Sequence, residues 1–272
     1  MKIFISADIE GIGGVVQGVQ TKVGNGDYEK ARILMTQEVN AAIDGALEAG
    51  AKEMVVNDSH GGMRNLLVED LREEATVICG KPKKNSMMAG LDQTFDAILC
   101  IGYHPMAKHD GTLSHTISGY AFSDIQINGK SYGESGIYGA LAGSFGVPVV
   151  LFSGDDALEM EVKRDFPKVQ VAVVKENIAA NCAKCMHPNK ARALIKEKVK
   201  HALKELKNME LFQLKGPLDM KIKLNSVLIT DCVEIIPRVN RVSSDTIEYI
   251  AEDIQEGVRL LNTISAMARG LM

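Results

Sequence analysis

Hydrophobic and polar positions alternate between residues 2 and 9, with Ile3, Ile5, Ala7 and Ile9 on one side and Phe4, Ser6 and Asp8 on the other. A period of two is that of a strand. From Asp27 the period lengthens, because Tyr28, Ala31, Met35, Val39, Ala42 and Ala46 recur every three or four residues and the pattern stops at Gly50. That spacing predicts an amphipathic helix closed by a glycine. A strand follows at 53–57, and short apolar runs recur at 76–79, 97–101, 147–152 and 169–174. Helical patterns over 135–144 and 156–165 lie between several of them. Strands alternating with helices predict the α/β class, with a mostly parallel sheet carrying helices on both faces.

Two segments depart from that rhythm. In 122–133, Ile125 and Ile127 precede Asn128-Gly129, the residue pair that a tight hairpin turn requires, so an antiparallel hairpin is inserted there. After a helix over 189–206, Lys215-Gly216-Pro217 breaks the chain. Met220, Ile222 and Leu224 then alternate with Lys221 and Lys223, as on a half-exposed antiparallel strand. The expected division is a main α/β domain over 1–215 and a smaller α+β unit over 216–272.

Composition narrows the classes of function. With 46% hydrophobic and 24% charged residues among 272, the chain can build a large core. Thirty-one basic against thirty-five acidic residues, with no basic block, argue against a nucleic-acid partner. No run approaches the ~18 apolar residues of a membrane span. Asp8 and Glu10 interrupt the opening apolar run too early for a secretory leader. An odd count of five cysteines suits free thiols, so a cytoplasmic location is expected.

The candidate chemistry lies at strand ends. Asp8 and Glu10 are two residues apart at the end of the first strand and can converge on one point. His60 follows the second strand and His104 the fourth, and the carboxyl ends of parallel strands face one crevice. Glu134 comes directly after the hairpin and before a helix, where it serves either the helix dipole or the same site. Mixed nitrogen and oxygen donors suit zinc, while manganese, cobalt or nickel also fit. Five donors exceed what one four-coordinate zinc takes, so two ions sharing a bridging carboxylate are expected. Asp58, two residues before His60, is a candidate to orient that imidazole. His115 has no paired donor in sequence and could be a core histidine; His109, on a polar turn, is expected to face solvent.

Together, Asp8-x-Glu10-Gly11, Asn57-Asp58-Ser59-His60, Gly102-Tyr103-His104, Leu113-Ser114-His115 and Gly133-Glu134 resemble the zinc-dependent D-aminopeptidases of bacterial dipeptide-transport operons. The resemblance covers most of the chain, including Tyr28-Glu29, Met35-Thr36, Gly90-Leu91-Asp92 and Gly154-Asp155-Asp156. It implies two zinc ions per chain on Asp8, Glu10, His60, His104 and Glu134, with His115 as the catalytic side chain. It also implies short peptide substrates and a homodecamer of two stacked five-membered rings. The chain departs from the family in the loop 105–111, which puts substrate choice in question more than chemistry.

The implied reaction is removal of an N-terminal D residue by a hydroxide held between the two zinc ions. A metal-dependent phosphohydrolase is an alternative, because an acidic pair after the first strand also serves phosphatases, but it leaves His60 and His104 without a role. A non-catalytic peptide- or nucleotide-binding module is a further one. Gly11, Gly13 and Gly14 evoke a dinucleotide loop, yet Val16 stands where its last glycine belongs. Cys182-x-x-Cys185 lacks a partner cysteine pair for a metal and a strand-helix context for redox chemistry.

Overall fold

The computed structural model describes residues 1–272. In chain order the elements are β1 (Lys2–Ala7), α1 (Gly26–Glu48), β2 (Glu53–Asp58), β3 (Ala75–Ile78), β4 (Ala97–Ile101), β5 (Phe122–Ile127), β6 (Lys130–Ser131), α2 (Glu134–Ser144) and β7 (Val149–Asp155). There follow α3 (Asp156–Asp165), β8 (Gln170–Ala179), β9 (Cys182–Cys185), α4 (Pro188–Lys204), β10 (Leu218–Leu224), α5 (Val227–Val233), β11 (Asn240–Arg241), β12 (Thr246–Ala251) and α6 (Ile254–Arg269).

Helix ends follow local chemistry. The side chains of Asn25, Asp155, Ser226 and Asp253 accept the backbone N–H three residues on, capping α1, α3, α5 and α6. Gly50 sits just past α1 with φ +90, where a glycine is favoured.

A seven-stranded sheet has the order β3-β2-β1-β4-β7-β8-β9, parallel throughout except for the β8–β9 pair. Its central strands β1, β4 and β7 are buried on both faces. Ile3, Ile5 and Ala7 of β1 pack with Met35, Val39 and Ile43 of α1 and Ile195 and Val199 of α4. Phe4, one residue out of phase, belongs to the opposite core with Leu141 of α2, Leu158 of α3 and Ile222 of β10. This is the α/β fold expected, with helices on both faces.

The hairpin turn is as the sequence implies: Asn128 and Gly129 adopt φ 53 and 76 between β5 and β6. The hairpin joins an antiparallel sheet of order β11-β12-β10-β5-β6, so residues 122–131 and the segment after 216 share one sheet through the β10–β5 pairing. β10 buries Leu218, Met220, Ile222 and Leu224 and exposes the residues between. One element has no signature in the sequence. β9 carries Cys182 and Cys185, both exposed, and lacks the apolar alternation that marks a strand.

Candidate metal centre

In the order β3-β2-β1-β4-β7, the chain proceeds outward from β1 in one direction and returns through β4 in the other. The crevice beyond the carboxyl ends of β1 and β4 is therefore the switch point at which such sheets bind ligands. Asp8 and Glu10 follow β1, His60 follows β2, His104 follows β4, and Glu134 is the first residue of α2. All five meet in this crevice, with Asp8, Glu10, His104 and Glu134 each at most 5% exposed. The strand period does not bring Asp8 and Glu10 together, since β1 ends at Ala7; a turn closed by the Ile12 N–H on the Ile9 carbonyl does.

Glycines allow the loops after β1 and β4 to lie back to back. The Gly11 N–H donates to the Gly102 carbonyl at 2.8 Å, and a Cβ on Gly11 would stand 1.9 Å from the Tyr103 carbonyl oxygen. Gly102, at φ +73, leaves no room for a Cβ against the Asp8 carbonyl, 2.2 Å away. Of the glycines that resemble a nucleotide loop in sequence, Gly11 is required by this close approach and Gly14 by its φ of +91.

Asp8 reaches two histidines at once. Its Oδ1 lies 3.3 Å from His60 Nδ1 and its Oδ2 lies 3.4 Å from His104 Nε2. Glu10 Oε2 is 2.9 Å from the same His60 nitrogen, and Glu134 Oε1 is 3.4 Å from His104 Nε2 and 3.9 Å from His115 Nε2. Two adjacent donor groups result, Asp8 with Glu10 and His104, and His104 with His115 and Glu134.

Backbone carbonyls set the tautomers. A carbonyl only accepts, so His60 Nε2 donates to Thr21, His104 Nδ1 to Pro105 and His115 Nδ1 to Leu113, at 2.9, 3.0 and 2.9 Å. The other nitrogen of each neutral ring then presents a lone pair to carboxylates. Glu10 Oε2 and His104 Nε2 are buried without a hydrogen-bond partner. Lone pair facing carboxylate is repulsive unless a cation or a proton lies between them, and carbonyl-anchored imidazoles are the usual support of metal-ligating histidines. The donor set therefore fits divalent metal.

Without metal, protons do the same work. Burial disfavours charge on His60 and His104, but Glu10 and Asp8 hold His60, and Glu134 and Asp8 hold His104, well above the ordinary imidazole range. Burial likewise works against the Asp8 carboxylate, yet its bonds with His104 and His60 hold it well below its usual range.

Several supporting groups escaped the sequence. Asp58 makes no hydrogen bond or ion pair with His60. It accepts the N–H groups of Asn65 and Leu66 and the Asn65 amide, shaping the loop after β2, while Thr21 orients the imidazole. Ser6, Ser59 and Tyr103 hydroxyls form a buried chain of hydrogen bonds, at 2.9 and 2.8 Å, tying the ends of β1, β2 and β4 together. Leu113 and Ile117 flank His115 at φ 58 and 61, a strained conformation for such side chains. The Ile117 N–H donates to Glu134 Oε1 at 2.6 Å, which joins the strained loop to the site. His109 is exposed on its turn. Cys182 and Cys185 stand at the sheet edge, outside both donor groups.

Buried carboxylates and imidazoles at the switch point of an α/β sheet are the arrangement of a metalloenzyme. Comparison with known proteins is specific. The family profile described as D-aminopeptidase matches residues 1–263. A D-aminopeptidase of Bacillus subtilis (strain 168) is 33% identical over 269 residues, covering 98% of each chain. A solved structure, the Zn-dependent D-aminopeptidase DppA from Bacillus subtilis, described as a self-compartmentalizing protease, superposes with TM-score 0.96 at 32% identity, over 99% of this chain and 98% of that one. The chain belongs to the D-aminopeptidase family of metallopeptidases.

Proposed function

We propose that the protein is a zinc-dependent aminopeptidase that removes an N-terminal D residue from short peptides. We assign two zinc ions per chain to Asp8, Glu10, His60, His104 and Glu134, with Asp8 shared between them. The observation that carries this reading is the divergence of the two Asp8 oxygens toward two histidines, each anchored on a backbone carbonyl through its other ring nitrogen. Zinc, when bound, polarises the scissile carbonyl and lowers the pKa of water toward ~7.

The side chains supply the rest. His115 is fixed by the Leu113 carbonyl, so its Nε2 is free to take the proton of the attacking water and return it to the leaving amine. At 23% side-chain exposure it is the most accessible of the imidazoles around Glu134, as a proton carrier must be. A free amine keeps the lone pair with which it could ligate zinc when bound, whereas an acetylated nitrogen does not, so an unblocked N-terminus is favoured.

The likeness to a self-compartmentalizing relative supports an oligomeric assembly; we propose a homodecamer of two five-membered rings that admits short peptides and excludes folded proteins. No helix is long and apolar enough to cross a membrane, and we place the enzyme in the cytoplasm. The test pairs D- and L-residue dipeptides, each free and N-acetylated, with light scattering for mass. Turnover of free D peptides by a decamer supports the reading. A monomer that cleaves acetylated or long substrates would leave only a generic metallohydrolase.

A further inference from the structure

Glu10 reaches the crevice from a loop, and residues 9–13 of that loop are buried. Buried backbone carbonyls need donors, which an isolated loop cannot supply. Lys175 of β8 supplies them. Its side chain is 2% exposed, and its Nζ donates to the carbonyls of Glu10, Ile12 and Val15. From α1, Glu38 Oε1 accepts the N–H of Gly13 at 2.9 Å. None of the groups that Lys175 Nζ bonds is a carboxylate. A buried ammonium without an ion pair is costly, so its presence here needs a purpose beyond filling space.

We propose that Lys175 is a positioning residue for Glu10. By gathering three carbonyls of the loop, it fixes the main chain from which the Glu10 carboxylate projects, so that Oε2 faces His60 before any metal arrives. The proposal rests on Glu10 being a zinc ligand. Nothing in the chemistry assigned above uses Lys175.

Lys175→Met keeps the apolar stem and removes the donors. Zinc affinity, read by competition with a chromophoric chelator, is compared for the metal-free wild type, Glu10→Gln, Lys175→Met and the double variant. Lys175→Met is expected to weaken zinc binding by about 10–100-fold, the range for groups that orient a ligand. The double variant should bind no more weakly than Glu10→Gln alone, because Lys175 acts only through Glu10. If Glu10→Gln binds zinc normally, the ligand assignment fails and the proposal falls with it. If Glu10→Gln weakens binding but Lys175→Met does not, or the two losses add, the positioning role alone is overturned.

Should Lys175→Met fail to fold, hydrogen exchange on the wild-type protein decides. Amides 11–15 should be equally protected with and without zinc if Lys175 orders the loop in advance. Free exchange until zinc is added would overturn the proposal.

Discussion

The imidazoles of His104 and His115 stack face to face, with centroids 4.1 Å apart and planes within 8° of parallel. Each donates its Nδ1 hydrogen to a backbone carbonyl, and both Nε2 atoms face the same oxygen of Glu134. Two rings held in the same orientation thus share an environment, but His104 is 2% exposed and also meets Asp8, while His115 is open to the crevice.

That asymmetry predicts different roles. His115→Ala should keep its full zinc content and lose about 10²–10⁴-fold in turnover, the usual contribution of a general acid–base group. Metal analysis and steady-state kinetics on the same preparation check it. Loss of zinc would make His115 a ligand in the group it forms with His104 and Glu134.

Metal analysis of protein purified without chelator should give about two zinc ions per chain, by the two-metal logic of a shared carboxylate. Burial opposes charge on the imidazoles of His60 and His104, but Glu10, Glu134 and Asp8 outweigh it and raise both well above their usual range, which favours a proton on each ring when metal is absent. Zinc must displace those protons. Calorimetric titration in buffers of differing ionisation enthalpy should therefore record proton release, and zinc affinity should fall as pH drops. A stoichiometry of one would remove the bridging role of Asp8.

Burial pushes the Glu38 carboxyl up to about 7, against the opposing pull of the Gly13 N–H and of Lys175, and its Oε2 has no partner. Between pH ~4.5 and ~7 the folded chain holds a proton there that the unfolded chain has lost. Stability from this group is thus greatest at the acid end of that window and declines as pH rises through it. Glu38→Gln should match the wild type near pH 4 and exceed it by up to about 3 kcal/mol at pH 8. Denaturant midpoints of the two proteins across that range provide the measurement, and parallel curves would contradict it.

Gly102→Ala should damage the site from a distance. The added Cβ meets the Asp8 carbonyl in a backbone conformation of φ +73, so strain of about 1–3 kcal/mol adds to the clash. Reduced thermal stability together with reduced zinc retention is expected, whereas Gly129→Ala, with open space around it, should disturb only its own turn.

Periodicity made much of the fold legible. A period of two marks β1 and β10, a period near 3.6 marks α1, and Asn128-Gly129 marks its hairpin, because each depends on residues close in sequence. Asp8, Glu10, His60 and His104 could be read as one cluster for a related reason: in a parallel sheet every strand end of one sense faces the same edge. β9 and the β10–β5 pairing were not legible, the first for lack of alternation and the second because pairing partners leave no local trace.

Other features arise only in three dimensions. That Thr21 rather than Asp58 orients His60, that Ser6 bonds Tyr103, and that Lys175 gathers the carbonyls of the Glu10 loop are contacts across 39, 97 and up to 165 residues. No short-range pattern encodes them. The sequence by itself determined which donors exist and which edge of the sheet they occupy. Only the tertiary structure decided which nitrogen of each imidazole faces the carboxylates, since a tautomer is set by the carbonyl that happens to lie behind the ring.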